Sequence, residues 1–178
     1  NSQPTVNEVK LKTHKLKNSQ TNMRTFLYTS ITDHLKKLLD SEGKPLIQHI
    51  DLWNEQVEFI EQETPFANPA IFIEFLQFNW QTLGGNAQRC SPTIRFHIIQ
   101  QYKGSEADGS IFRNDALERF TVLDAIDNHM KGFTAMTEDK KKTITMWQRS
   151  SSSTNHNHEE LIEDITDYTC MLFDGSEQ

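Results

Sequence analysis

The densest apolar run in the chain is Pro69-Ala70-Ile71-Phe72-Ile73-Glu74-Phe75-Leu76. Its β-branched and aromatic residues crowd into few positions, which predicts a buried strand over 69–76. Both alternating sets are apolar: Ile71, Ile73 and Phe75 on one side, Ala70, Phe72 and Leu76 on the other. A strand of that kind is expected mid-sheet or covered on both faces. Glu74 breaks the run. Burying it unpaired is costly, so it is expected to meet Arg95 or a subunit contact.

Other segments have clear periods. Leu27, Ile31, Leu35 and Leu38 recur at helical spacing, predicting an amphipathic helix over 24–41 that stops at Gly43 and Pro45. Leu117, Phe120, Leu123, Ile126 and Met130 predict a second helix over 111–132, with Ser110 or Asn114 as its cap and Gly132 at its end. Ile94, Phe96 and Ile98 alternate with Arg95 and His97, which predicts a strand over 93–100, antiparallel to 69–76 across a loop at 78–91. Strands are also expected at 143–149, where Ile144 and Met146 alternate against Trp147, and at about 163–173. Between them Ser150 to His158 reads as a low-complexity polar loop. Residues 46–51 and 52–60 read as short extended segments, the second equally compatible with a helix.

Strands and helices are grouped, with no repeated βαβ rhythm. The expected fold class is α+β: a mainly antiparallel sheet with two helices packed on one face. The expected organisation is a basic polar arm over 1–22 and a single α+β domain over 23–178. The arm shows no apolar periodicity and no cap signals. It lacks the apolar middle of a signal peptide, and no run in the chain approaches the length needed to cross a bilayer. The expectation is a soluble, non-secreted protein.

Charge divides the chain in the same place. The net charge is −7; residues 1–22 carry Lys10, Lys12, Lys15 and Lys17 against Glu8, a net +3, so the remainder carries −10. An acidic body argues against binding a phosphate backbone. The alternation of Arg95, Phe96 and His97 is explained as a core Phe between surface polar residues. The basic arm suits an acidic partner, including another copy of the body, although a solvated tail is the simpler account of such a segment.

Catalytic patterns are thin. Cys90 and Cys170 form no CxxC and read as reduced thiols. His156-Asn157-His158-Glu159-Glu160 offers metal-type ligands, but nothing in the sequence completes a set of three or four. Gly84-Gly85 lacks the residues of a phosphate loop. The sequence points to a non-enzyme. Phe78 and Trp80, among amides and paired glycines, are candidates either for a contact surface or for finishing the core.

Several phrases taken together carry a family resemblance. They are His49-Ile50-Asp51-Leu52-Trp53-Asn54-Glu55-Gln56, Pro65-Phe66, Pro69 to Phe75, Thr93 to Ile99, Leu123-Asp124-Ala125-Ile126, and Asp164 to Asp174 with Tyr168. Over about residues 24–174 the chain resembles the tail-terminator, or tail-completion, proteins of tailed bacteriophages. That resemblance implies a virion structural protein of the neck and tail, assembled in the bacterial host cytoplasm. It implies a ring of identical subunits, commonly hexameric, that caps the tail tube and joins it to head-neck proteins without a cofactor, a membrane or direct nucleic-acid recognition. It assigns no functional residue and leaves the arm outside its pattern. The alternative is a monomeric protein-binding or immunity-type module without catalytic activity. On residue type alone the expected contact residues are Lys10, Lys12, Lys15, Lys17, Phe78, Trp80, Glu74 and Arg95.

Overall fold

A computed structural model describes residues 22–55, 66–104, 107–156 and 160–175. The elements in chain order are α1 (Met23–Leu35), β1 (His49–Leu52), β2 (Ala70–Phe75), β3 (Gln81–Gly84), β4 (Ala87–Cys90), β5 (Thr93–Gln101), α2 (Arg113–Met130), β6 (Ala135–Met136), β7 (Lys142–Asn155) and β8 (Leu161–Asp174). All eight strands join one sheet of mixed α+β architecture. Its pairs are antiparallel except β1 with β2, which run parallel.

Helix α1 starts where Asn22 caps it, its Oδ1 accepting from the Thr25 N–H at 2.8 Å. It ends at Leu35, short of the expected residue 41. The following residues fold back, with the Leu46 N–H donating to Leu38 O and the Asp40 N–H to Lys44 O. Gly43, at φ 77, supplies the left-handed turn there. Leu27, Ile31 and Leu35 are buried as the period predicts, and Leu38 is half-buried.

The anticipated pairing of the central strands is present: β2 runs antiparallel to β5, with Glu74 opposite Arg95 and Phe72 opposite His97. However, β2 is not the middle of the sheet. That place belongs to β8, which pairs with β5 and then β4 along one edge and with β7 along the other.

Two stretches read as loops are strands. Residues within 78–91 form the β3–β4 hairpin, with Gly84 and Gly85 at positive φ in its turn. The serine run continues β7 to Asn155, opposite Glu163. A polar run has little intrinsic preference for a strand, but here β8 supplies the partner. Side chains reinforce the ladder: the Ser150 hydroxyl donates to Asp167 O, and the Thr154 hydroxyl to Asp164 Oδ1 at 2.7 Å. Strand 46–51 is shifted to His49–Leu52, and the expected extended segment over 52–60 falls largely outside the described residues.

The main core draws on buried residues of both helices and of the sheet. Leu27, Ile31, Ile126 and Met130 pack with Ile71, Ile94, Phe96, Ile144, Trp147, Tyr168 and Leu172. Phe96 lies 5.0 Å from the Tyr168 ring and 6.1 Å from Trp147. Burying each such side chain contributes about 1.5–3 kcal/mol. Cys90 and Cys170 are free thiols buried in the same cluster; burial pushes the Cys170 thiol up to about 12. Two irregularities in β7, around Met146 and Ser150, change its alternation. Met146 sits at φ 55, so Ile144 and Trp147 both face the core while Met146 points outward.

The helices meet at their C-terminal ends through a reciprocal clasp. His34 Nε2–H donates to His129 O and His129 Nε2–H to His34 O, both at 2.8 Å, with the rings stacked 4.2 Å apart. Helix α2 departs from its predicted stripe. Ile126 and Met130 are buried, but Leu117 and Phe120 are exposed. Its start has no side-chain cap bond to the helix, although Ser110 Oγ accepts from the Phe112 N–H. The second core is small: Ala70, Phe72, Ile99 and Leu161 on the opposite side of the sheet, with Trp53 and Phe66 against them.

Candidate functional site

Strand alternation places Glu74 of β2, Arg95 and His97 of β5, and Glu163 and Asp167 of β8 on the side of the sheet opposite the main core. Registers put Arg95 between Glu74 and Asp167, and Ile99 opposite Glu163, so the side chains meet across neighbouring strands.

Arg95 and Asp167 form a two-point pair. Arg95 Nε–H donates to Asp167 Oδ1 at 2.8 Å and Nη2–H to Oδ2 at 3.1 Å. The Ser151 hydroxyl donates to Asp167 Oδ2 at 3.0 Å. The Arg95 hydrogen bond, and secondarily that of Ser151, holds the Asp167 carboxyl below the usual carboxylate range against the opposing effect of burial. In turn, the Asp167 hydrogen bond raises Arg95 above its ordinary value. Geometry of this planar, forked kind suits guanidinium and carboxylate.

His97 lies between two carboxylates. Its Nδ1 is 2.6 Å from Glu163 Oε1 and its Nε2 is 3.1 Å from Glu74 Oε2. A ring nitrogen that carries a proton donates to the carboxylate it faces. Asn155 Nδ2–H donates to Glu163 Oε2 at 2.7 Å. Trp53 covers the imidazole, its ring parallel to His97 within 3° at 3.7 Å. Arg95 Nη1 approaches Glu74 Oε2 at 4.0 Å. His97 and Glu163 are buried, whereas Glu74 and Arg95 keep 32% and 33% of their side chains exposed. The network therefore has a sealed interior and a solvent-facing end made by Glu74 and Arg95.

The expected partner of Glu74 is present, but His97 is nearer than Arg95. Sequence reasoning missed His97, Glu163 and Asp167 as members. Alternation shows that Arg95 and His97 share a side; only register brings Glu163 and Asp167 beside them.

Phe78 and Trp80 lie elsewhere, half-buried against the main cluster. Phe78 packs edge-on to Phe75 at 6.0 Å and Trp80 to Phe78 at 6.4 Å, with the Arg24 guanidinium 5.1 Å above the Phe78 ring. Both remain partly open to solvent. Lys10, Lys12, Lys15 and Lys17 lie outside the described residues, as do His158 and Glu159 of the histidine-rich stretch. Among the described residues no group of three or more His, Cys, Asp or Glu is placed to hold a metal ion. Nor is any helix there long and apolar enough to cross a membrane.

A second polar cluster lies on the main-core side. The Tyr168 hydroxyl hydrogen-bonds Asp127, and burial first, then Asp127, raises its pKa. Arg149 Nη1 pairs with Asp127 Oδ2 at 3.4 Å. Arg119 and Asp164 are both buried, yet Nε and Oδ2 stand 3.9 Å apart. Among the described residues neither Arg119 Nε nor Asp164 Oδ2 has a hydrogen-bond partner.

Compared with known proteins, the chain matches no family model and no curated protein.

Proposed function

We propose that this chain is a non-catalytic assembly subunit, a virion structural protein of the tail-terminator type. In this reading it forms a ring that caps a phage tail tube and contacts tube and head-neck proteins, with two helices covering one face of the sheet. The ring reading rests on one surface observation: large apolar side chains lie outside the core at two different places. Ile111 (87% exposed) lies just before α2 and Leu117 and Phe120 (48%) in its N-terminal half, and Met136 and Met146 (62%) lie on β6 and β7. A contact between copies would cover these side chains. Two unlike patches suit a head-to-tail contact, which closes into a ring when the rotation permits. The resemblance read from the sequence supplies the tail-terminator assignment.

The polar network fits that reading. Its charged groups satisfy one another and Trp53 shields the imidazole, so the arrangement serves positioning better than proton transfer. Glu74 and Arg95, at its open end, offer one charge of each sign to a neighbouring subunit.

Native mass spectrometry tests the proposal. The expected result is a closed multiple of the 20.7 kDa chain. Phe120→Asp and Met146→Asp should each reduce it to monomer without lowering the melting temperature. A stable 20.7 kDa monomer at every concentration would refute the ring and favour a single-chain binding module.

A further inference from the structure

The first half of α2 leaves a space beside the sheet. Phe112, Asp115, Ala116, Arg119 and Val122 recur at helical spacing and share one face of the helix. With the end of β5 they line a cleft of about 310 Å³. That volume lies at the small end of the range for small-molecule sites.

Arg119 is the unusual residue in its wall. It is 8% exposed, and among the described residues its Nε and Nη1 have no hydrogen-bond partner. Asp164 Oδ2 stands 3.9 Å from Nε, close enough to offset the charge but too far to accept the N–H. From β5, Gln100 Nε2–H donates to the main-chain O of Arg119 in a long contact of 3.5 Å, which ties this turn of the helix to the sheet. Buried guanidinium hydrogens without an acceptor are costly, and a bound acceptor removes that cost. A carboxylate is the acceptor best matched to a guanidinium.

The rest of the cleft shows what else the ligand carries. Asn68 Oδ1 is buried in the wall and accepts from none of the described residues, so it calls for an N–H or O–H donor. Lys103 pairs with Asp115 at 3.5 Å, and Glu118 lies exposed beside them. Arg119 and Lys103 thus face Asp115, Glu118 and Asp164, two positive charges against three negative, a net −1. A bare anion is poorly suited to that balance; a ligand with a cationic donor as well as a carboxylate suits it. Pro69, Phe112, Ala116, Val122 and Ile162 supply an apolar wall.

We propose that this cleft binds a free α-amino acid with an apolar side chain. Its carboxylate accepts from Arg119 at Nη1, its ammonium faces Asn68 Oδ1 and Glu118, and its side chain lies along the apolar wall. The cleft is separate from the His97 network, and the assignment does not rest on the ring reading.

The test titrates the full chain with L-phenylalanine and L-leucine by isothermal titration calorimetry. Saturable binding at one site per chain is expected. Phenylpropionate, which lacks the ammonium, and phenethylamine, which lacks the carboxylate, should each bind about tenfold more weakly or worse, the effect of one lost charge-assisted hydrogen bond. Arg119→Met should weaken phenylalanine by at least about the same factor. Because that change also leaves Asp164 unpaired, a second variant, Ala116→Leu, fills the cleft and leaves Arg119 in place. It should abolish binding without changing the native mass. No binding of either amino acid would overturn the proposal, as would phenylpropionate binding as tightly as phenylalanine or undiminished binding by Ala116→Leu. Inorganic phosphate competing as well as phenylalanine would also overturn it, leaving an adventitious ion only at Arg119.

Discussion

Replacing Asp167 by Asn removes one charge and keeps the shape. Asp167 accepts from Arg95 at 2.8 and 3.1 Å and from Ser151 at 3.0 Å. Hydrogen bonds to charged groups contribute about 1.5–3 kcal/mol. The Asn amide retains one acceptor, and Arg95 is a third exposed, so water restores part of the loss. The expected cost is about 2 kcal/mol, or about 4–8 °C in melting temperature for a chain of this size. The pH dependence has a definite sign. Asp167 is held below the ordinary carboxylate value by Arg95. Its stabilising contribution is therefore complete above about pH 4 and disappears as the pH falls through the lower folded-state value. Urea melts of wild type and Asp167→Asn should differ by a constant amount from neutral pH down to about pH 5, then converge in acid. A cycle with Arg95→Met should show coupling of about 1 kcal/mol or more. An unchanged midpoint at neutral pH, a difference that persists in acid, or additivity in the cycle would refute the reasoning.

The core gives a larger effect. Phe96 is fully buried between Trp147 and Tyr168, so Phe96→Ala should cost about 3–5 kcal/mol by chemical denaturation; a cost below about 1 kcal/mol would contradict that packing. The helix clasp is pH-sensitive in a predictable direction. Burial foremost, with His129 and Lys37 adding, lowers the His34 pKa, although its bond to His129 O opposes the shift. The folded state then takes up that proton less readily than the unfolded chain, and stability falls as the pH drops through the ordinary imidazole range. His34→Gln should lose about 1 kcal/mol at pH 8 and show a flatter pH profile than wild type; equally steep profiles would exclude His34 as the source.

The candidate site was partly legible in advance. Glu74 stood out because a carboxylate in an apolar strand needs a partner, and the alternation around Arg95 placed that partner one strand away. His97 was visible as a surface-side residue but not as the ligand of two carboxylates. Glu163 and Asp167 gave no signal. Their relation to His97 and Arg95 depends on the offset between β5 and β8, more than sixty residues apart in sequence, and a one-residue slip would send all of them to the other side.

Local chemistry in the sequence determined both helices, the strands at Ala70–Phe75 and Thr93–Gln101 with their antiparallel pairing, and the α+β class. Each has enough consecutive periodic residues for side-chain pattern and backbone preference to agree. Tertiary structure alone decided the rest. The serine run is a strand because β8 offers a ladder, which a polar sequence does not announce. Leu117 and Phe120 are exposed while Arg119 beside them is buried against Asp164, so the first half of α2 turns a polar residue rather than its apolar stripe inward. The chain's main sheet contact lies with β8 rather than with the most apolar strand, because position in a sheet follows from pairing along both edges, while hydrophobicity reports only burial of the faces.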